Sequence, residues 1–349
     1  MSHRILLTGG NGFIGSHILA QFLDRGYSVC CAVRTKSKGD KIFKDFAKQK
    51  SQIDITVVPD IVAPGAYDAA VKEQPPFDTI IHTASPFNYG IGGSNLQFLE
   101  PAINGTLNLL RAVKDNAPSV KRVIFTGSCA SVVNYERLSS DPPKLFNEDD
   151  WNPVTWDEAV HGDQSKAYRA SKKFAELEAW EFMKKEKPHF DLVTLCPPAT
   201  FGPPRNSVSS ISDLNESNGR LWKACFDSSK DAPVPYIPVH TYVDVRDLAI
   251  AHVQAMIVPD AGNKRFLVSA SQFGFQDICD ILRSHFPELN ERTPLGKPGT
   301  SSLPPGAYSI DNSRVKGVLG LGFRNLEQTV LDTARHLLDI ERNEKAAAH

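Results

Sequence analysis

The segment Arg4-Ile5-Leu6-Leu7-Thr8-Gly9-Gly10-Asn11-Gly12-Phe13-Ile14-Gly15 lies at the very start of the chain, and the rest of the sequence can be placed from it. An apolar run of strand length ends at Thr8, a glycine-rich turn follows, and a stretch with helical spacing runs on to about Arg25. The glycines fit G-x-G-x-x-G through Gly10, Gly12 and Gly15, and also G-x-x-G-x-x-G through Gly9, Gly12 and Gly15. Between a strand and a helix, such glycines permit a tight turn, admit a pyrophosphate to the backbone N–H groups and let the helix pack close on the strand. The positive end of the helix then faces the phosphates. The segment predicts a dinucleotide-binding domain.

Outward from this turn, residues 28–33, 53–58, 79–82, 122–126 and 191–196 read as further short apolar strands, with helical spacing in the stretches between them. Continuous apolar strands alternating with helices imply a parallel sheet covered on both faces, a doubly wound α/β fold of the Rossmann type. After Cys196 the texture changes: Pro197, Pro198, Pro203 and Pro204 precede a polar Ser/Asn stretch, and residues 294–306 are again rich in Pro and Gly. These mark a second, smaller lobe. Residues 244–258 look helical and 265–269 strand-like, so the chain is expected to return to the first domain before completing the second. The predicted division is 1–197 plus about 243–270 for the nucleotide-binding domain, and about 198–242 plus 271–349 for a discontinuous substrate lobe.

The end of the second strand indicates which dinucleotide is bound. About twenty residues past the glycines, an NAD enzyme usually carries an acid that accepts from the ribose 2′-OH. Here the strand ends Cys31-Ala32-Val33-Arg34, followed by Thr35, Lys36, Ser37 and Lys38. A guanidinium and an ammonium suit a 2′-phosphate, which an acid would repel. The prediction is NADP(H), with Arg34 as the main contact and Lys38 or Lys36 second.

A Y-x-x-x-K pattern, Tyr168-Arg-Ala-Ser-Lys172, opens a predicted helix over about 164–185, where residues four apart share a face. With eight tyrosines in the chain the pattern alone means little, but Thr126-Gly127-Ser128 ends the strand beginning at Arg122, where a sheet delivers residues to a cofactor. A carbonyl that gains hydride at carbon must gain a proton at oxygen, and an unperturbed tyrosine, with a pKa of about 10, is a poor acid–base group near neutrality. An ammonium at Lys172 and the positive charge of an oxidised nicotinamide favour the tyrosinate and bring Tyr168 toward the working range. Lys172 is also expected to hold the nicotinamide ribose, and Ser128 to hydrogen-bond the carbonyl oxygen.

Five motifs now stand in order: the glycine turn, His-Thr-Ala-Ser-Pro-Phe at 82–87, Thr-Gly-Ser at 126–128, Tyr-x-x-x-Lys, and Tyr-Val-Asp-Val-Arg-Asp at 242–247. Over nearly its whole length the chain resembles the extended short-chain dehydrogenases/reductases, in their dihydroflavonol-reductase-like branch of aldehyde and carbonyl reductases. The resemblance implies a pyrophosphate loop at Gly9, Gly10, Asn11, Gly12, Phe13 and Ile14, and adenine contacts at Asp60 and Ile61. It also implies that Thr83, Ala84 and Ser85 lie along the middle of the cofactor, Pro197 to Thr200 beside the nicotinamide, and Ser217 at a further cofactor contact. Thr126 belongs to the same cofactor set. The chain departs from the family in carrying Gly127 where Ser is frequent, which leaves the catalytic serine in place. It also has Cys196-Pro197 where Asn-Pro is frequent, which puts an asparagine contact near the nicotinamide in question.

Phe87, Trp222 and Phe226 are candidates for an apolar substrate pocket. His82 reads as a packed residue, Cys129 as a small packing residue, and the run Glu148-Asp149-Asp150 as a solvated loop, so no metal site is predicted. The net charge of −1 with scattered Lys and Arg gives no footprint for nucleic acid or an anionic membrane. A small-molecule carbonyl partner fits better, with the protein as monomer or homodimer. Six cysteines without C-x-x-C spacing, no signal-like segment and no membrane-length apolar run point to the cytoplasm. The sequons at Asn104 and Asn215 are then without consequence.

The function expected is NADPH-dependent reduction of an aldehyde or ketone. The alternatives are an epimerase or dehydratase of a sugar-like substrate, or a non-enzymatic NADP(H) sensor. Dehydratases of this resemblance place an Asp-Glu pair after the serine position, where this chain has Cys129-Ala130. Such sensors typically lack the Tyr/Lys pair.

Overall fold

The computed structural model describes residues 3–85 and 94–347. Seven parallel strands form the central sheet in the spatial order Lys264–Leu267, Asp191–Cys196, Arg122–Thr126, Thr79–His82, Arg4–Thr8, Ser28–Val33 and Ile53–Val57. Alternation along each strand divides its side chains between two cores. Ile5, Leu7, Val29, Cys31 and Val33 face one layer, while Leu6, Cys30 and Ala32 face the other. Both faces are therefore apolar, and helices cover each.

The first strand pairs with the second on one side and the fourth on the other, so Thr8 lies opposite both Ala32 and His82. Chain order reverses there, opening a crevice at the carboxyl ends of the strands. The helix Phe13–Leu23 starts from this crevice and packs against the helix Val245–Ile257. The one stretch that departs from the predicted alternation is 58–78. Among the described residues it holds only a single 3₁₀ turn, Ala70–Lys72, because Pro59, Pro64, Pro75 and Pro76 deny a helix its N–H donors.

Beside the carboxyl ends lies a small three-stranded sheet, ordered Ser271–Gln272, Thr241–Asp244 and Ala199–Phe201. It shares a core with the helices Glu216–Cys225, Phe275–His285 and Leu326–Ala347. The last part of the chain is more interleaved than a simple lobe. Val315 and Leu319, on the helix Ser313–Leu319, pack with Phe266 and Leu248 in a core of the main sheet.

Candidate active site

The glycine turn is shaped by close approach. Gly9 has φ +74°, and a Cβ there would stand 2.6 Å from the Thr83 hydroxyl. A Cβ on Gly15 would run into the Gly9 carbonyl. Only glycine lets the turn and the first helical residues lie this close to strand ends that are already tied together. Thr8 makes those ties: its Oγ1 accepts from the N–H groups of Thr83 (3.2 Å) and Ala84 (3.1 Å), so its own hydrogen goes to His82 Nδ1 (2.8 Å). Thr83 Oγ1 donates back to the Thr8 carbonyl at 2.7 Å.

His82 is buried between the rings of Tyr67 and Phe125, and burial pushes its pKa down to about 3. It is thus a neutral packed acceptor, in keeping with its sequence reading.

A groove of about 340 Å³ opens over this turn, lined among others by Gly9, Asn11, Gly12, Arg34, Lys38, Thr83, Ala84 and Ser85. Arg34 and Lys38 are exposed, and no carboxylate among the described residues pairs with either. Lys38 sits in the first turn of the helix Lys36–Asp45, whose N-terminal Thr35 accepts from the Lys38 N–H. Two uncommitted cations at a helix N-terminus suit a phosphate. The cradle and its cations fit a dinucleotide carrying a 2′-phosphate.

Of the two expected adenine residues, Ile61 lines the groove, whereas Asp60 uses its carboxylate to accept from Val62 N–H at 2.9 Å and does not. Sequence reasoning missed two residues here. Tyr67 lines the groove from a fully buried position. Asn108 donates to the carbonyls of Ile61, Val62 and Ala63 and so fixes the loop. Neither belongs to the glycine motif or stands beside it in sequence.

A second cavity, of about 320 Å³, adjoins the groove and brings together Ser128, Tyr168 and Lys172. Ser128 stands at the end of its strand in extended geometry, and its Oγ accepts from Ala130 N–H at 3.1 Å. That leaves the hydroxyl hydrogen for a carbonyl oxygen. Tyr168 and Lys172 occupy one side of the helix Gln164–Glu186, which starts at the Asp163 cap. The Lys172 ammonium lies 5.5 Å from the centre of the Tyr168 ring and donates to Ser85 Oγ at 2.7 Å. This last bond joins cavity to groove. Loss of water around the ammonium pushes the Lys172 pKa down to about 8.

Pro197 is buried, and its carbonyl accepts from Cys129 N–H at 2.9 Å, while its neighbours Pro198 and Ala199 line the cavity. Thr200 turns its hydroxyl onto the Pro198 carbonyl at 3.2 Å. Ser217 lines the cavity from the first turn of the helix Glu216–Cys225. The Thr126 hydroxyl is directed elsewhere: His252 Nδ1 donates to the Leu248 carbonyl, so Nε2 accepts from Thr126 Oγ1 at 2.8 Å.

Two substrate-pocket expectations are corrected. Trp222 and Phe226 stack on each other with ring centres 5.1 Å apart inside the lobe core, 6% and 0% exposed. Helical spacing turned both to the inside of their helix end, and neither reaches the cavity. The aromatic wall is instead made by Tyr135, Phe201, Phe275 and Tyr308, residues that no local pattern links. Phe87 lies outside the described residues.

The acidic run also departs from its reading. Glu148 is buried, its carboxyl 3.6 Å from Arg314 Nε, while Asp150 pairs with Lys144 at 2.9 Å. Cys129 is buried, which raises its thiol pKa well above the usual value and leaves it a packing residue.

Residues 5–269 match the NAD dependent epimerase/dehydratase family. The chain belongs to this family. It is an extended short-chain dehydrogenase/reductase, as its motif order implied. Ketoreductase azaE of Aspergillus niger is 39% identical over 340 residues, spanning 97% of this chain and 98% of that protein. NADPH-dependent methylglyoxal reductase GRE2 of Saccharomyces cerevisiae is 36% identical over 343 residues, spanning 97% and 98%. The crystal structure of yeast methylglyoxal/isovaleraldehyde reductase Gre2 complexed with NADPH aligns with a TM-score of 0.89 at 34% identity, over 97% of this chain and 99% of that one. The sheet and lobe described above are therefore the architecture of this reductase-containing family.

Proposed function

We propose that this protein reduces an aldehyde or ketone to the alcohol with NADPH. One observation carries the reading: Lys172 reaches from the cavity holding Ser128 and Tyr168 to Ser85 in the dinucleotide groove. A cofactor lying along the groove would end where the proton-transfer groups converge. NADPH, when bound, supplies the hydride; the rest of the chemistry falls to the chain.

Ser128 donates to the carbonyl oxygen and fixes its direction. Tyr168 gives that oxygen a proton as it gains negative charge, and Lys172 favours the tyrosinate left behind. Lys172, which donates to Ser85 in the groove, would hold the nicotinamide ribose of a bound cofactor. Apolar walls from Phe201 and Phe275 exclude water from the reacting carbon. Arg34 and Lys38 hold the 2′-phosphate and set the preference for NADPH. The six free, buried cysteines suit a reducing compartment, and we place the enzyme in the cytoplasm. Among the described residues no helix is long and apolar enough to cross a membrane.

The test is NADPH consumption by the purified protein with methylglyoxal, an aryl aldehyde, an aryl ketone and a β-keto ester, with NADH in parallel. Turnover that prefers NADPH is expected. NADPH binding without turnover of any carbonyl would overturn the reductase assignment in favour of an NADP(H) sensor.

A further inference from the structure

The helix that carries Tyr168 and Lys172 presents a third residue on the same side, Glu176, one turn beyond the lysine. Its side chain is 0% exposed, and four N–H and O–H donors converge on the carboxylate, with the Cys196 thiol 3.5 Å from both of its oxygens. Arg265 contributes Nε (2.8 Å) and Nη2 (3.1 Å), Thr194 its Oγ1 (2.8 Å) and Ser131 its Oγ (2.6 Å). Arg265, 6% exposed, stacks on Trp151 at 3.8 Å and also donates to the carbonyls of Glu148 and Asp150.

Ser131 closes the circuit. The same hydroxyl lies 2.6 Å from the Ser128 carbonyl, so its single hydrogen is shared between the serine turn and the carboxylate. The turn also lies directly on this cluster: a Cβ on Gly127 would stand 2.9 Å from Cys196 Sγ and 3.6 Å from Glu176 Oε2.

A buried ion pair of this kind contributes little net stability compared with apolar residues of the same volume, because both charges leave water. Its value here is geometric. We propose that Glu176, clamped by Arg265, is a positioning residue that holds the Ser128 turn at a fixed distance from Tyr168 and Lys172 through the Ser131 hydroxyl. The proposal rests on the carbonyl-reductase reading. One carboxylate sets the spacing between the group that orients the carbonyl and the groups that protonate it. Neither Glu176 nor Ser131 lines the cavity or the groove.

Replacing Glu176 alone would strand a buried guanidinium and unfold part of the protein, so the test cuts the link instead. Ser131→Ala removes the hydroxyl link between the carboxylate and the turn, keeps the Ser131 N–H bond to the Ser128 carbonyl (2.9 Å), and leaves Glu176 its contacts from Arg265, Thr194 and Cys196. Thr194→Val removes a comparable hydrogen bond from the same carboxylate without touching the turn. For Ser131→Ala, kcat should fall about 10- to 100-fold, the scale of a misplaced reacting group, with NADPH affinity close to wild type. Amide exchange across residues 127–133 should quicken in that variant. Thr194→Val should stay near wild type in both measurements.

A Ser131→Ala enzyme with wild-type kcat overturns the proposal, as does a kcat loss without faster exchange at the turn, or equal damage from Thr194→Val. If the wild-type protein turns over no carbonyl, the reductase reading has failed instead. Exchange at 127–133 in the two variants then still decides whether the carboxylate holds the turn.

Discussion

The lining of the nucleotide groove falls between Thr8 and Ser85, whereas the cavity beside it draws on segments scattered from Ser128 to Tyr308. The groove is assembled by four neighbouring strand ends and the loops that leave them. Its residue types are dictated by phosphate and backbone geometry, which vary little with substrate. The cavity is assembled by a helix face, a serine turn and loops of the lobe, and its walls need only be apolar and correctly shaped. A site made from consecutive strand ends leaves a motif in the sequence. A site made by folding distant segments together leaves single residues without context.

The largest effect that separates the two regions is expected from Tyr168→Phe. It should lower kcat by about 10²- to 10⁴-fold, the usual scale of lost acid–base catalysis, while NADPH still binds by fluorescence titration. Retained turnover would remove the tyrosine as proton donor and leave the cavity without its chemistry.

Phe226→Ala sharpens the distinction between cavity wall and lobe core. With the ring fully buried against Trp222, the change should destabilise the fold by about 3–5 kcal/mol, read as a lower denaturation midpoint. A changed substrate profile with unchanged stability would return Phe226 to the cavity.

Arg34→Asp addresses the groove. Loss of a charge-assisted contact is worth about 1.5–3 kcal/mol, so the NADPH-to-NADH preference should fall roughly 10- to 150-fold. An unchanged ratio of kcat/KM values would mean the 2′-phosphate is held elsewhere.

The smallest effect is expected where the regions meet. Burial lowers the Lys172 pKa to about 8, so the ammonium is charged below that pH and neutral above it. Carbonyl kcat/KM should therefore drop about tenfold between pH 7 and 9 as the charge that favours tyrosinate is lost. Lys172→Arg, which keeps its proton throughout, should flatten that limb. The same limb in both proteins would assign the titration to another group.

The legibility of the sequence follows the same division. The strands over 4–8, 28–33, 79–82, 122–126 and 191–196 have the observed bounds, because continuous apolar runs punctuated by turns leave little freedom in a parallel sheet. The glycine turn, Arg34 and the Tyr168–Lys172 spacing were visible because each is a local constraint. Trp222 and Phe226 were misplaced because an apolar residue on a helix looks the same whether it faces a core or a cavity. Glu148 was read as solvated because its partner Arg314 is remote in sequence.

The sequence by itself determined the parallel sheet, the dinucleotide turn, the cations at its edge and the helix bearing tyrosine and lysine. In each case backbone geometry or residue spacing within one or two elements is sufficient. Only the tertiary structure decided which aromatic rings form the cavity and that Lys172 bridges to Ser85. It also decided that Glu176 and Arg265 meet beneath the Ser128 turn. Those contacts join residues far apart along the chain, and their energy is realised only when packing has brought the groups out of water and into reach of one another.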